Sequence, residues 1–536
     1  MKRLITMLIA LILCISSVTA LAVEVSDPNE FPIVDEKITL DVWCYQRATV
    51  EDLWTNRMTE WYEEKTNIHI NWIIVPQAEE TTKLNLSIAS GEYPDIYLTY
   101  FSAAQANQLG TQGVLIPLND LIEKHAYYTT KRLEANPEYK EWITAPDGNI
   151  YTLYNDDIGL HMQAQEKMFV NTEWLTKYKN VTGKEITTTE DFRDMLRYFR
   201  DNDMNGNGDT TDEIPLVGSN GHTGGNPLWF LMNPFQLVTA TNMLTVSEEG
   251  EISASYVTDG WREGLKYINS LYEEGLIAEE SFIQDKSQMK ALSSRATAEE
   301  MICGAVPGRY QGDFIDSGII PYVNYTVIDP LVSPAGIQQT GIRNVAFKLQ
   351  SGITTQCEHP EAALKWLDWF YGLEGSMLNT RGWEGINYEW RNDLTNILGT
   401  SPAYVQLTGI ASSGAKQNDY WYLPLGCDSA DRRYCEEDTE GSASHLLYYD
   451  SKHYIEEFGV KTNWPAITWG TEEQINTIAL IETTITDYVI SSAVNFILGN
   501  LDIESDDDWR MYLEELNAMG LENYLATQKA VINGII

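Results

Sequence analysis

The feature that narrows the fold most is an alternation of segments between residues 38 and 100. Ile38-Thr-Leu-Asp-Val-Trp43 alternates apolar and polar side chains with period two, the pattern of a strand with one face buried. Residues 50–65 carry a helical pattern, Ile68-His-Ile-Asn-Trp-Ile-Ile-Val75 is a second strand, and residues 81–90 form a second helix. Gly91-Glu-Tyr-Pro-Asp95 then turns into the strand Ile96-Tyr-Leu-Thr-Tyr100. Strands that alternate with helices predict an α/β sheet of parallel strands. Such sheets bind ligands where loops converge beyond the carboxyl ends of the strands. Residues 43–46 and 97–101 are therefore candidate site segments.

The pattern restarts at Phe169-Val-Asn171. Thr187 and Glu190 have capping-box spacing, Phe192, Leu196 and Phe199 share one helical face, and Ile214-Pro-Leu-Val217 is a strand. Between them stands Asp201-Asn-Asp-Met-Asn-Gly-Asn-Gly-Asp-Thr-Thr-Asp212. Counted as a twelve-residue loop it places Asp201, Asp203, Asn205, Asp209 and Asp212 at EF-hand ligand positions, with Gly206 at the bend and the carbonyl of Asn207 as the backbone ligand. The oxygen cage predicts Ca²⁺. Asp212 departs from the usual bidentate Glu. A loop joining a capped helix to a strand, with no evident open coordination position, has a structural role. The last third lacks the alternation and instead carries long helices, one capped by Thr471 and Gln474.

A formal charge of -42 excludes nucleic acid and anionic membranes as partners, because their phosphates need a basic surface. Met1-Lys2-Arg3, an apolar run over residues 4–15 and Ala20-Leu21-Ala22 make a signal peptide cut after residue 22, so the chain is exported. Cys14 ends the apolar run as a lipid anchor would, but Leu13 stands where a small residue belongs, which disfavours lipidation. Cys44, Cys303, Cys357, Cys427 and Cys435 are too sparse for a disulfide framework. Cys427 and Cys435 have the spacing to close a short loop or to stay free.

Several stretches together resemble the extracellular solute-binding proteins of carbohydrate-type ABC importers, in their larger, lipoprotein-like branch. They are Ser90-Gly-Glu-Tyr-Pro-Asp-Ile96, Phe169-Val-Asn171, the calcium loop running into Asp212-Glu-Ile-Pro215, Arg381-Gly-Trp-Glu-Gly-Ile-Asn-Tyr388, Phe496-Ile-Leu-Gly499, Asp508-Trp509 and Met519-Gly-Leu521. The resemblance implies a two-lobed, periplasmic-binding-protein-like (type II) α/β fold with an interlobe cleft, extra C-terminal helices, a sugar ligand and a transmembrane permease as partner. On this reading residues 23–156 and 331–375 build lobe 1, residues 157–330 and 376–536 build lobe 2, and the protein is a monomer. Its branch usually carries a clear lipobox, which the leader lacks.

A sugar offers an apolar C–H face and hydroxyls in the ring plane, so its receptors combine aromatic rings with planar polar groups. With 16 Trp and 30 Tyr, the chain has aromatic surface to spare. Trp43, Trp229, Trp383 and Trp421 are the candidate stacking residues, followed by Tyr45, Tyr100 and Tyr154. Gln46, Asp95, Asn155, Arg309 and Glu384 are the candidate hydroxyl partners. For each Trp a packing role competes; for Asp95 a turn role does, and for Arg309 an ordinary salt bridge. A secreted glycoside hydrolase is the alternative, since 78 acids leave room for a carboxylate pair. An adhesion protein is a third reading. No G-x-S-x-G, H-E-x-x-H, P-loop or dinucleotide fingerprint occurs.

Overall fold

In the computed structural model, which describes residues 23–220, 224–240, 243–407, 416–426 and 433–534, the expected alternation is present. The leader with Cys14 and the residue Cys427 lie outside the described residues. In chain order the strands are β1 (Ile38–Gln46), β2 (Ile68–Pro76), β3 (Ile96–Phe101), β4 (Leu153–Asp157), β5 (Lys167–Asn171), β6 (Ile214–Leu216), β7 (Leu244–Val246), β8 (Ile252–Ala254), β9 (Cys303–Gly308), β10 (Tyr325–Ile328), β11 (Thr340–Ile342), β12 (Ala346–Ile353), β13 (Tyr388–Arg391), β14 (Ala403–Gln406) and β15 (Gly459–Lys461).

The first sheet has the order β2-β1-β3-β12-β4. β1 runs parallel to β2 and β3, with Val42 opposite Ile96. β12 returns from the distant part of the chain and inserts antiparallel between β3 and β4. The crossover helices are Arg57–Thr66 and Glu80–Ser90. The first starts later than its pattern suggested because Asn56 caps it, accepting the Met58 N–H at 3.0 Å. The residues before it are instead held in a loop by Gln417. The second sheet has the order β10-β5-β9-β6.

Each sheet carries its own core. The first is drawn from residues 33–154, 347–378 and 420–425, the second mainly from residues 164–331 and 454–531. Leu378, Tyr420, Trp421, Leu423 and Leu425 thus join the first core, although the sequence division had placed residues 376–536 wholly in the second lobe. The cause is aromatic packing. Trp421 donates its indole N–H to Thr59 Oγ1 at 2.8 Å and stacks on Trp366 at 5.6 Å, while Tyr62 stacks on Trp369 at 4.8 Å. The aromatic surplus read as cleft surface is largely core.

The helices Glu472–Ile497, Asp506–Ala518 and Leu521–Ile532 close the second core with Val489, Phe496, Trp509, Tyr512 and Leu516. The capping box of Thr471 and Gln474 forms as expected. The earlier box is made by Thr188 and Asp191 rather than Thr187 and Glu190. That one-residue shift leaves Phe192, Leu196 and Phe199 fully buried. Cys44, Cys303 and Cys357 are free thiols. No helix among the described residues is long and apolar enough to cross a membrane.

Candidate functional site

β1, β3 and β4 run in the same direction in the first sheet, so their carboxyl ends share one edge, where β12 begins at Ala346 opposite Asp157. Tyr45 and Gln46 end β1, Arg47 follows it, and Tyr100 lies one residue before the end of β3. From β4 the chain passes through the short helix Leu160–Gln163 into β5 of the second sheet, and β9 ends beside it at Arg309 and Tyr310. The two sheets therefore present a common floor at Asp157, His161 and Arg309.

Charge is concentrated on that floor. Asp157 accepts the Gly159 N–H at 3.0 Å and the Arg433 guanidinium at 2.8 Å. Tyr434 ties the crossover down, accepting from the Leu160 N–H at 3.1 Å and donating to the Ile158 carbonyl at 3.0 Å. Arg309 forks onto Asp313 at 2.9 and 2.7 Å, and Lys286 reaches the same carboxylate at 2.7 Å. Burial opposes the Asp313 charge, but Arg309 and Lys286 overcome it and hold the carboxyl well below the usual range. Burial and then the Arg433 cation push His161 down to about 3, so the imidazole is neutral. Its ring lies edge-on to Tyr310 at 6.1 Å. On the first-sheet side Arg47 covers the Tyr422 ring at 4.4 Å and Lys348 covers Tyr100 at 4.8 Å. Arg47 Nε, Gln165 Oε1 and Ser219 Oγ are buried without a partner among the described residues. Buried polar atoms rarely stay unpaired without a reason.

The expected sugar-binding residues divide. Tyr45, Gln46, Tyr100 and Arg309 stand at this floor. Tyr45 is only 2 % exposed, and burial raises its pKa. Gln46 spends its amide on the carbonyls of Val50 and Glu51 at 2.9 and 3.0 Å. Asn155 lies one strand position off the floor and ties down the Gly426 carbonyl at 2.8 Å.

The other expected residues are placed elsewhere. Trp43 is buried against Tyr97 at 5.9 Å, Trp421 in the aromatic pile, and Trp229 in the second core. Tyr154 is buried against Phe347. Asp95 sits at the amino end of β3, opposite the site edge, where its carboxylate accepts the Asp41 N–H of β1 at 2.7 Å. Trp383 donates to the Asp419 carbonyl at 2.8 Å, its face is covered by Arg57 at 4.2 Å, and Trp61 meets it edge-on at 5.5 Å. Glu384 beside it is exposed. The turn at Gly382 (φ 87°) separates Trp383 from Arg381, which instead faces a small cavity with His161. A side chain at Gly382 would meet Asn387 at 2.4 Å. Arg47, Asp157, His161, Arg433 and Glu436 were not singled out from sequence, because none belongs to a local motif.

The acidic loop winds around Asp203, whose carboxylate accepts the N–H groups of Gly206 at 2.6 Å and Gly208 at 2.9 Å. Both glycines have positive φ, at 79° and 89°. Counting from Asp203 rather than Asp201 puts Gly208 at the sixth-position bend. Asp201 is withdrawn by Arg200, which forks onto it at 2.7 and 3.1 Å. Asp209 is turned onto Thr211 at 2.9 Å, and the side chains of Asn205 and Asn207 point to Asp212 Oδ2 at 3.4 and 2.8 Å. No three acidic, His or Cys groups among the described residues converge as a metal cluster. Asp212 Oδ1 and Glu213 Oε2 are nevertheless buried with no partner among the described residues. Two orphaned carboxylate oxygens beside a glycine-bent loop have the donor chemistry of a hard cation.

Comparison with known proteins places these features. The chain is 28% identical over 511 residues to the fructooligosaccharide ABC transporter substrate-binding protein FusA of Streptococcus pneumoniae serotype 4 (strain ATCC BAA-334 / TIGR4), covering 93% of this chain and 90% of that one. The solved structure of S. pneumoniae FusA in complex with kestose superposes with a TM-score of 0.73 at 27% identity, over 92% of this chain and 98% of that one. Another FusA structure is of an EF-hand mutant in complex with fructo-nystose, with a TM-score of 0.73 at 26% identity and the same coverage. An HMO-binding, ABC-transporter-associated solute-binding protein from Bifidobacterium longum infantis shares the fold, with a TM-score of 0.72 at 18% identity over 92% of this chain and 98% of that one. The architecture is thus the two-lobed α/β fold of solute-binding proteins. Residues 57–381, more than half of the chain, match the bacterial extracellular solute-binding proteins, and the protein belongs to that family.

Proposed function

We propose that this protein is an exported receptor that captures a short neutral oligosaccharide between its two lobes and delivers it, as a monomer, to the permease of an ABC importer. The observation that carries the reading is the polar and aromatic floor at the strand ends. Asp157, Arg309 and Arg433 supply planar charged groups there, Tyr100, Tyr310 and Tyr422 supply rings, and unpaired buried atoms supply further donors and acceptors. Such a floor suits hydroxyls and C–H faces. FusA, similar along nearly the whole chain, is named for fructooligosaccharides.

Hydrolysis is disfavoured by the same contacts. A glycosidase needs one carboxyl held protonated as general acid. The two carboxylates paired on the floor do not supply it: Asp157 and Asp313 are each committed to a cation, and Asp313 is held below its ordinary range. The test is calorimetry of the mature protein with a panel of neutral and acidic oligosaccharides including kestose, alongside an assay for new reducing ends. Saturable binding without products is expected; turnover of any panel sugar rejects the receptor reading.

Ca²⁺ is assigned to the acidic loop as a structural ion. Asp203, Asn205, Asn207 and Asp209 remain its ligand candidates, with Asp212 and Glu213 closing the loop and Asp201 outside it. The ion would neutralise the paired charge of Asp212 and Glu213 and fix the passage into β6.

A further inference from the structure

A cavity of about 120 Å³ opens beside the crossover helix, bounded by His161, Arg381, Arg433, Glu436, Ser444 and Tyr448 among others. It has the room of about four liquid waters, enough for the hydroxyl edge of a terminal sugar ring rather than for a whole ring. Its polar groups are half-satisfied. Arg381 Nε donates to Tyr404 Oη at 3.2 Å, whereas its two Nη atoms have no partner among the described residues. Glu436 Oε2 accepts from Tyr404 at 3.2 Å and Ser444 at 2.7 Å, whereas Oε1 has no partner among the described residues. His161 makes no hydrogen bond through its ring nitrogens among the described residues, and being neutral it offers one donor and one acceptor. Three functional groups with open valences therefore face one small space next to Asp157.

We infer that this cavity is the subsite for a terminal residue of the oligosaccharide, with the Arg381 fork donating to two adjacent sugar oxygens and Glu436 accepting a hydroxyl proton. The inference rests on the receptor reading above. A planar guanidinium matches a vicinal diol in spacing, and the flanking carboxylate distinguishes a neutral diol from an anion, which Glu436 would repel. The rings of Tyr448 and Tyr434, 5.0 Å apart, give the sugar its apolar wall. Tyr404 and Ser444 hold Glu436 in place and so act as positioning residues.

The test uses the mature chain and four probes in calorimetry: kestose, nystose, and two kestose derivatives, each methylated on one terminal residue. R381Q and E436Q are each expected to weaken kestose and nystose by about 100-fold, and R381K by about tenfold, since it keeps charge but loses the fork. One methylated derivative is expected to bind the wild type as weakly as kestose binds R381Q, and to lose little more in R381Q. Sugar-free melting of E436Q should stay within a few degrees of wild type, which separates lost recognition from lost folding. Wild-type affinity in R381Q and E436Q, or full affinity for both methylated derivatives, overturns the subsite while leaving the receptor reading intact. A wild type that binds neither kestose nor nystose also overturns it; the receptor reading then depends on the wider panel.

Discussion

At the residue scale, the same side-chain type does opposite work depending on its neighbours. Trp421 and Trp383 are alike in sequence terms, yet one is 1 % exposed in a pile of rings and the other lies under a guanidinium at the surface. Trp421→Ala is expected to cost about 3–5 kcal/mol of stability, measured by denaturant unfolding, with sugar affinity of the folded fraction unchanged. Trp383→Ala should cost less than half of that. His161 gives a pH signature. Its pKa, about 3 in the folded protein, lies below the ordinary 6.5, so between these values the unfolded chain binds the extra proton. Stability from this group is therefore complete above about pH 6.5 and lost as pH falls towards 3. In His161→Gln the melting temperature should fall less steeply between about pH 6.5 and 4 than in wild type. Parallel slopes would show that the imidazole is not held neutral.

At the scale of elements, local signals were strong where chemistry is local. Strands, caps and the glycine-bent acidic loop follow from period, capping geometry and backbone freedom, and all are found within a few residues of their expected places. Among the caps and the loop the differences are shifts of one or two positions, whereas the first helix starts seven residues later than its pattern suggested. Thr188 replaced Thr187 because burial of Phe192, Leu196 and Phe199 chose the phase. In the acidic loop Arg200 holds Asp201, so the proposed ligand register starts at Asp203 rather than at Asp201. Calcium at a hundredfold over its Kd would add about 2.7 kcal/mol. Chelator should therefore lower the melting temperature of the wild type, less so in Asp203→Asn and Glu213→Gln, and undiminished in Asp201→Asn. A chelator response lost in Asp201→Asn would restore the original register.

At the scale of the whole molecule, the proposed function depends on two sheets meeting at Asp157. Sugar should bring the lobes together, read as a fall in the radius of gyration by solution scattering. Arg433→Gln should weaken sugar binding, because it releases Asp157 beside the crossover. An unchanged radius at saturating sugar would argue against closure. The sequence by itself determined an acidic α/β protein with helices at its end and pointed to an exported one, since N-terminal composition, net charge and the two hydrophobic periods are properties of neighbouring residues. It could not say which aromatic residues are core or which polar ones converge. Asp157 and Arg433 are 276 positions apart, and Trp421 meets Thr59 across 362. Burial and charge pairing are set by contacts of that range, to which no local period is sensitive. Only the tertiary structure therefore shows which tryptophans are core and which arginines, tyrosines and histidine come together at the floor where the site is proposed.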